Sequence, residues 1–361
     1  MKYYIVSGEA SGDLHGSNLI KEIKRLDTGA AFRCWGGDLM RAEGGEIVKH
    51  YRELAFMGFT EVVMNLRTIF KNIDFCKSDI VEHKPDVLIL IDYPGFNLRI
   101  AEFANKNKIK VFYYISPQVW AWKQSRVHKI KKIVDRMFVI LPFEKDFYKR
   151  FDYAVDFPGH PLLDAIETSS YEKIGSDKPI IAILPGSRKQ EISQMLSVML
   201  SLRKEYKDYE FIIGGAPSVP KEFYAGFIGN NDVKIVFGQT YNLLSSAAAA
   251  LVTSGTATLE TALFGVPEVV CYKGGVISFF IAKGLVKVKY ISLVNLIMDK
   301  EIVKELIQND FIRANLKAEL DKILSETTRK RMKEDFAELK IKLGGAGASR
   351  RTAELMMKYL Q

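Results

Sequence analysis

The sequence predicts an α/β protein that contains two doubly wound parallel sheets, each flanked by helices. Three observations support this fold class. Short apolar runs alternate with segments of helical spacing along the chain of 361 residues. The apolar runs are continuous rather than alternating, as in strands that are covered on both faces. The pattern starts again after residues 158–161, so a second sheet is expected there.

The predicted elements follow this alternation. In the first half, strands are expected at residues 3–7, 87–91, 111–115 and 137–141, with a loop at 8–13 and a helix at 15–26. A polar stretch at 167–178 is interpreted as the interdomain linker. In the second half, strands are expected at 180–184, 210–213, 234–236, 248–252 and 268–270. Residues 310–361 are predicted to be mostly helical, with a final helix at 349–360 after a glycine-rich break.

Composition and charge limit the possible partners. A hydrophobic content of 48% and a charged content of 26% are typical of a globular protein. The net charge of +9 favours an anionic partner, which is a nucleic acid, a nucleotide, a phosphorylated substrate or an acidic membrane surface. Three scattered cysteines fit a reducing cytosol. The N-terminus turns polar too early for a signal peptide, and no apolar run approaches the roughly 20 residues of a spanning helix. Any membrane contact is therefore expected to be peripheral.

The stretch after residues 248–252 has the pattern of an anion-binding helix N-terminus. Ser254, Gly255, Thr256 and Thr258 lie where an apolar strand meets a new helix. Free backbone N–H groups and the positive end of the helix dipole favour a diphosphate there. Glu260 is placed to reach a sugar hydroxyl beside that phosphate. The alternative interpretation is an ordinary capped helix.

A second turn follows the first strand of the second half. Gly186 and Ser187 are expected to offer N–H groups to an anion, and Arg188 to bind phosphate and balance leaving-group charge. The turn lacks the GK[ST] of a P-loop. The alternative is a surface arginine after a turn, but two anion sites in one domain favour the functional interpretation.

In the first half, Asp92 ends an apolar strand. A partly desolvated carboxylate there is a candidate general base, the alternative being a turn-capping aspartate before a Pro-Gly pair. The loop at 8–13 lacks GxGxxG spacing, and Glu9 and Asp13 would repel a pyrophosphate. We therefore expect this loop to approach an uncharged sugar, or to be a simple strand-to-helix turn.

Two further segments combine apolar and basic residues. Residues 59–73 have helical spacing with a broad apolar face, which fits either a bilayer surface and acyl chains or a core helix. Trp120 and Trp122 precede a basic helix and are suited to stacking on bases or to a lipid headgroup boundary, unless they flank a solvated helix face. The five histidines show no metal spacing, so neither a metal nor a cofactor is expected.

The ordered motifs resemble those of lipid-A-disaccharide synthases over nearly the whole chain. They lie at residues 8–13, 57–58, 91–97, 114–122, 141–145, 159–160, 184–188, 254–260 and 290–296. The resemblance implies a GT-B glycosyltransferase with two Rossmann-like domains that face a central cleft. Residues 1–166 would be an acceptor and membrane-facing domain, and 167–344 a UDP-sugar-binding domain. Residues 345–361 would form a helix that packs back on the first domain of its own or a partner chain, so a homodimer is possible.

The resemblance also implies a reaction. A 2,3-diacylglucosamine unit would pass from UDP-2,3-diacylglucosamine to the 6-hydroxyl of 2,3-diacylglucosamine 1-phosphate, giving a β-1,6 disaccharide and UDP. An α-linked donor then requires inversion by a single displacement, with no covalent sugar intermediate. No nucleic acid and no cofactor take part. The enzyme would be cytoplasmic and peripherally associated with the cytoplasmic face of the inner membrane.

Carried onto this sequence, the resemblance gives each candidate a role. Asp92 is the base and Arg188 faces the diphosphate. The UDP-binding candidates are Gly186, Ser187, Arg188, Ser254, Gly255, Thr256, Thr258, Glu260 and Asn295. The acceptor and lipid candidates are Glu9, Ser11, Met57, Phe59, Val62, Leu66, Ile69 and Phe70. Family members often have Leu-Pro-Asn where this chain has Leu293-Val-Asn295, and some have Pro-Asp-Phe where it has Pro94-Gly-Phe96.

The sequence leaves two other functions open. A UDP-N-acetylglucosamine 2-epimerase would share the architecture and the UDP site, but it gives no reason for the apolar, basic-flanked helix. A nucleic-acid-binding protein is supported only by the net charge and the two tryptophans.

Overall fold

The computed structural model describes residues 1–54, 66–228, 233–274 and 289–361. The described chain divides into two compact units. Unit 1 consists of residues 1–168 and 343–361, and unit 2 of residues 169–342. Each unit contains one six-stranded parallel sheet.

The sheet of unit 1 has the strand order β3-β2-β1-β4-β5-β6. Its strands are Lys2–Val6 (β1), Ala31–Gly36 (β2), Glu46–His50 (β3), Val87–Ile91 (β4), Lys110–Tyr114 (β5) and Arg136–Phe138 (β6). The helices of this part of the chain are Ala10–Leu26 (α1), Asp38–Ala42 (α2), Leu66–His83 (α3), Pro94–Lys106 (α4), Val127–Ile133 (α5), Phe143–Lys149 (α6) and Leu162–Thr168 (α7). Short 3-10 turns lie at Tyr51–Glu53 and Gln124–Arg126.

The sheet of unit 2 has the strand order β12-β11-β10-β7-β8-β9. Its strands are Ile180–Leu184 (β7), Glu210–Gly215 (β8), Lys234–Phe237 (β9), Ala247–Thr253 (β10), Glu268–Tyr272 (β11) and Lys304–Ile307 (β12). The helices are Lys189–Leu200 (α8), Lys221–Ile228 (α9), Thr240–Ser246 (α10), Thr256–Leu263 (α11), Leu293–Met298 (α12), Arg313–Leu324 (α13) and Glu326–Lys342 (α14). The last helix, Ala348–Leu360 (α15), belongs to unit 1.

The buried strands explain why the apolar runs are continuous. Every residue of β4 and of β7 is buried. Along β1, Tyr4 and Val6 join one apolar cluster, whereas Tyr3 and Ile5 join a second cluster on the opposite face. Because successive side chains of a strand point to opposite faces, a sheet covered by helices on both sides requires apolar residues at every position.

Each sheet reverses its winding at one place. The reversal lies between β1 and β4 in unit 1, and between β7 and β10 in unit 2. The loops that follow the two neighbouring strands lead to helices on opposite faces, so a crevice opens at the carboxyl ends of these strands. All four loops carry residues that the sequence analysis selected as candidates.

The doubly wound sheets confirm the predicted fold class. Strands β2, β3 and β12 were not predicted, and β3 and β12 each lie at one edge of their sheet. Their charged residues interrupt the apolar pattern because an edge strand is partly exposed. The predicted loop at 8–13 was wrong, since α1 already begins at Ala10.

Asp13 shows why that stretch is helical. Its buried carboxylate accepts hydrogen bonds from the backbone N–H groups of Gly37, Leu39 and Met40, at 2.7, 3.1 and 3.1 Å. These groups lie at the start of α2, where the helix itself offers them no acceptor. Asp13 therefore caps a neighbouring helix, and its charge is not directed at a ligand.

Asp164 performs the same task for α15. Its carboxylate accepts from the N–H groups of Gly347, Ala348 and Ser349 at 2.6, 3.1 and 2.7 Å. The guanidinium of Arg351 donates to the carbonyl of Pro158 and to carbonyls of the glycine-rich break. The helix packs on α1, and its inner face joins the core of unit 1. These contacts fasten the C-terminal helix to the first sheet.

We predict that Asp164→Ala loosens α15. The change leaves three N–H groups at the helix start without their acceptor, which costs roughly 2 kcal/mol of stability. Hydrogen exchange of residues 348–360 and urea unfolding measure this loss. Asp74→Ala is the matched control, because the Asp74 side chain is 76% exposed, and a change within about 0.5 kcal/mol is expected. Unaltered exchange of α15 in Asp164→Ala would contradict the capping role.

Candidate active site

A cavity of about 360 Å³ lies at the reversal point of unit 2. It is formed by the turn after β7, the turn after β10 and the end of β8. The lining residues are Leu184, Gly186, Ser187, Arg188, Glu191, Gly214, Gly215, Ala216, Pro217, Thr240, Thr253, Ser254, Gly255, Thr256, Ala257 and Glu260. The structure thus brings most of the UDP-binding candidates together around one cavity.

The turn after β10 leads into α11. This helix has no side-chain cap among the described residues, and its first residues line the cavity. The Ser254 hydroxyl donates to the carbonyl of Ile291 at 3.1 Å, which fixes the start of the turn. An uncapped helix N-terminus presents free N–H groups and the positive end of the helix dipole. The turn is therefore suited to hold an anion.

Glu260 lies in the second turn of α11 and lines the same cavity. The Tyr241 hydroxyl donates to its Oε1 at 3.5 Å. Burial raises the pKa of Glu260, and the hydrogen bond from Tyr241 opposes this shift. A carboxylate held in this way can accept hydrogen bonds from the hydroxyls of a sugar. Tyr241 was not among the sequence candidates.

The turn after β7 differs from the expectation. Glu191 of α8 accepts hydrogen bonds from the backbone N–H groups of Ser187 and Arg188, at 2.9 and 3.3 Å. Its other oxygen pairs with the Arg188 guanidinium at 3.1 Å. The N–H groups assigned to a phosphate are thus held by a carboxylate of the protein itself. Glu191 stands three residues after Arg188, and this capping-box spacing was visible in the sequence.

Two of the UDP-binding candidates, Thr258 and Asn295, do not line the cavity. Thr258 is fully buried, and its hydroxyl donates to the carbonyl of Gly255 at 2.9 Å. Asn295 is also fully buried; its amide donates to Val303 O and Glu305 Oε1 and accepts from two backbone N–H groups. Neither side chain lines the cavity. They support the loops around it, because a buried amide or hydroxyl must satisfy its hydrogen bonds within the fold.

In unit 1, Asp92 lies at the reversal point between β1 and β4. Asp92 and Tyr93 have φ angles of 45° and 48°, which residues other than glycine rarely adopt. The carbonyl of Asp92 accepts from Asn97 Nδ2 at 2.8 Å and from the Tyr113 hydroxyl at 2.6 Å, which holds this conformation. A Cβ at Gly8 would lie 2.5 Å from Tyr93 Cγ, so glycine is required there. Such strain is concentrated at functional sites.

The charge state of Asp92 suits a general base. Its pKa is raised to about 6, mainly by burial and also by the nearby Glu9 carboxylate, while the hydrogen bond from the Tyr93 N–H acts in the opposite direction. A base works best when its pKa lies near the working pH. Glu144, which interacts electrostatically with Asp92, is buried and accepts from the N–H groups of Ile140 and Leu141. Burial raises the pKa of Glu144 to about 7. The sequence analysis did not select Glu144, although it lies within the 141–145 motif.

The lipid candidates are spread over several environments. Glu9 and Ser11 are exposed at the start of α1. Met57, Phe59 and Val62 lie outside the described residues, as does the side chain of Leu66. Ile69 is partly buried and packs against the core cluster of unit 1. Phe70 is 51% exposed, and the Arg99 guanidinium lies 5.6 Å from the centre of its ring.

Metal-binding clusters and membrane-spanning helices are absent from the described residues. Within them, no group of three or more His, Cys, Asp or Glu side chains is arranged to hold a metal ion. Across the same residues, no helix combines the length and apolar character that membrane crossing requires.

Solved structures define the class of protein. A UDP-GlcNAc 2-epimerase from Neisseria meningitidis, bound to UDP-GlcNAc, matches with a TM-score of 0.69 at 15% identity, covering 99% of this chain and 100% of that one. A glycosyltransferase of kitacinnamycin matches with a TM-score of 0.70 at 14% identity, covering 100% and 99%. At such identities the likeness shows the fold alone, and that fold is GT-B.

Sequence relatives define the family. The model of lipid-A-disaccharide synthetase matches residues 3–359. The lipid-A-disaccharide synthase of Syntrophus aciditrophicus is 40% identical, covering 99% of this chain and 97% of that relative. The synthase of Geobacter metallireducens is 38% identical, covering 99% and 96%. The chain belongs to the lipid-A-disaccharide synthase family, as the resemblance predicted, and is a glycosyltransferase.

Proposed function

We propose that this protein transfers 2,3-diacylglucosamine from UDP-2,3-diacylglucosamine to the 6-hydroxyl of 2,3-diacylglucosamine 1-phosphate. The products are the β-1,6 lipid A disaccharide 1-phosphate and UDP. Family membership over residues 3–359 carries the proposal. The epimerase from Neisseria meningitidis is 15% identical to this chain, so the likeness is one of fold alone. It does not favour epimerase activity.

In this proposal unit 2 holds the donor. The diphosphate binds the N-terminus of α11 and the turn that carries Arg188, both of which line the cavity. Glu260, held by Tyr241, accepts from the ribose hydroxyls. When the bond between the sugar and the diphosphate breaks, negative charge grows on UDP. The helix dipole and the Arg188 guanidinium stabilise that charge.

Unit 1 supplies the base. Asp92 accepts the proton of the acceptor 6-hydroxyl while the hydroxyl oxygen attacks the anomeric carbon. The bond from that carbon to the diphosphate oxygen breaks in the same step, and its electron pair leaves with UDP. One displacement inverts the anomeric carbon, so an α-linked donor gives a β-linked product. The raised pKa of Asp92 and its strained position support this role.

Asp92→Asn is expected to lower turnover by roughly 10²–10⁴-fold, the usual contribution of a general base. Asparagine has nearly the same shape but cannot take up the proton. UDP affinity is expected to stay within about twofold of wild type, since the donor binds unit 2. Release of UDP from defined acylated substrates measures turnover, and calorimetry measures binding. Near-normal turnover with an intact fold would remove Asp92 from the base role.

The pH profile gives an independent measurement. Since only ionised Asp92 accepts a proton, kcat/KM should fall about tenfold per pH unit below about pH 6. Glu9→Gln removes a nearby negative charge, which lowers the pKa of Asp92 and moves this limb to lower pH. Glu22→Gln, on the same helix, is the control and should leave the limb in place. A limb that stays fixed in Glu9→Gln would argue that another group titrates.

The proposal places the enzyme at the cytoplasmic face of the inner membrane, in peripheral contact through unit 1. Phe70 is exposed beside Arg99. Trp122 is 44% exposed, with Lys123 Nζ 4.5 Å and the Arg126 guanidinium 5.3 Å from its ring. Exposed aromatic rings next to cations are suited to the boundary between headgroups and acyl chains.

We predict that Phe70→Ser weakens binding to vesicles that contain anionic lipid. The loss of one partly inserted aromatic side chain should reduce the partition coefficient roughly tenfold. Co-sedimentation with vesicles measures it. Ile341→Ser is the matched control, because Ile341 is 78% exposed but belongs to unit 2. Equal losses in both variants would contradict a membrane surface on unit 1.

A further inference from the structure

The turn after β7 is already occupied by an anion, and that anion is part of the chain. Glu191 Oε2 accepts from the N–H groups of Ser187 and Arg188, and Oε1 accepts from the Arg188 guanidinium. Two backbone N–H groups and one guanidinium form the kind of donor set that binds a phosphate. Glu191 therefore lies where the proposed function needs the diphosphate.

The backbone shape fits this occupant closely. Gly186 has a φ of +116°, and a Cβ built on it would lie 2.6 Å from both Cβ and Oε2 of Glu191. A side chain at position 186 would thus collide with the carboxylate. The glycine allows both the turn conformation and the close approach of Glu191.

A carboxylate and a diphosphate cannot share these donors. Both are acceptors only, and each N–H group has one proton to donate. At hydrogen-bonding distance their negative charges also repel. When the diphosphate binds this turn, the Glu191 side chain has to leave it.

The second turn of the cavity is different. The N-terminus of α11 has no side-chain cap among the described residues. A diphosphate that enters the cavity meets free N–H groups at α11 and occupied ones at α8. Only the contact at α8 requires the Glu191 carboxylate to be replaced by the diphosphate.

We propose that Glu191 is an affinity-determining residue that occupies the phosphate turn in the empty enzyme and is displaced by the diphosphate of the UDP-sugar. The proposal rests on the proposed function, because it takes the ligand to be a nucleoside diphosphate. The Glu191 carboxylate returns to the turn when UDP leaves, and so favours product release. The ion pair is held weakly, since Arg188 and Glu191 side chains are 64% and 27% exposed.

Glu191→Gln tests the proposal. Glutamine keeps the length of the side chain and a carbonyl oxygen that accepts from Ser187 and Arg188, so the start of α8 keeps its cap. The negative charge that competes with the ligand is lost. We expect the Kd of UDP, measured by calorimetry, to fall about tenfold, which corresponds to about 1.4 kcal/mol. Thermal unfolding verifies that the variant is folded.

Glu222→Gln is the matched control. Glu222 is an exposed carboxylate in the first turn of α9, in the same unit, and it does not line the cavity. Glu222→Gln removes one negative charge, as Glu191→Gln does. Because Glu222 does not line the cavity, the UDP affinity of this variant should stay within about twofold of wild type. A similar gain in affinity in both variants would show a general charge effect and overturn the proposal.

Two further results would overturn it. One is a folded Glu191→Gln variant that binds UDP as weakly as wild type or more weakly, which would make Glu191 a scaffold for the turn. The other is a UDP-bound structure of the wild type in which Glu191 still accepts from Ser187 and Arg188. Both leave the proposed function intact, because wild-type UDP binding remains. A wild type that does not bind UDP at all would remove the donor site and this inference together.

Discussion

In each sheet the parallel strands all end at the same edge, and the rest of this structure depends on that constraint. In a doubly wound sheet every strand ends, and the following helix begins, at that edge. The first N–H groups of each helix have no acceptor within the helix. At three of the described helices a carboxylate is that acceptor: Asp13 for α2, Asp164 for α15 and Glu191 for α8. A phosphate is chemically an equivalent acceptor, so the capping of helices and the binding of a nucleotide use the same groups.

The two helix starts at the proposed donor site differ in their capping. The N-terminus of α11 has no side-chain cap within the described part of the chain, and it lines the cavity of unit 2. The neighbouring helix start is held by Glu191, through a short exposed ion pair. By contrast, the carboxylate of Asp13 is buried and caps α2, the next helix along the chain. Burial therefore distinguishes the Asp13 cap from the Glu191 cap, whose side chain is 27% exposed.

Asp92 is a carboxylate whose surroundings disfavour its negative charge. Burial of this carboxylate and the nearby Glu9 raise its pKa to about 6. The backbone of Asp92 and Tyr93 is strained, and hydrogen bonds from Tyr113 and Asn97 hold it. Folding energy is thus used to keep a basic carboxylate at the crevice of unit 1.

The sequence by itself determined the fold class, the central strands and the family. Strands β4 and β7 were placed with their full bounds, because a strand covered on both faces is apolar at every position. Two of the four edge strands, β3 and β12, were missed, because charged residues on these partly exposed strands break that pattern. Only the tertiary structure decided which polar groups are free. Asp164 accepts a hydrogen bond from the start of α15, 183 residues further along the chain. The side chain of Asn295 forms its hydrogen bonds with the segment that follows α12. Local patterns record where a chain can form strands and helices, but the acceptor that finally satisfies each donor is chosen by the packing of distant segments.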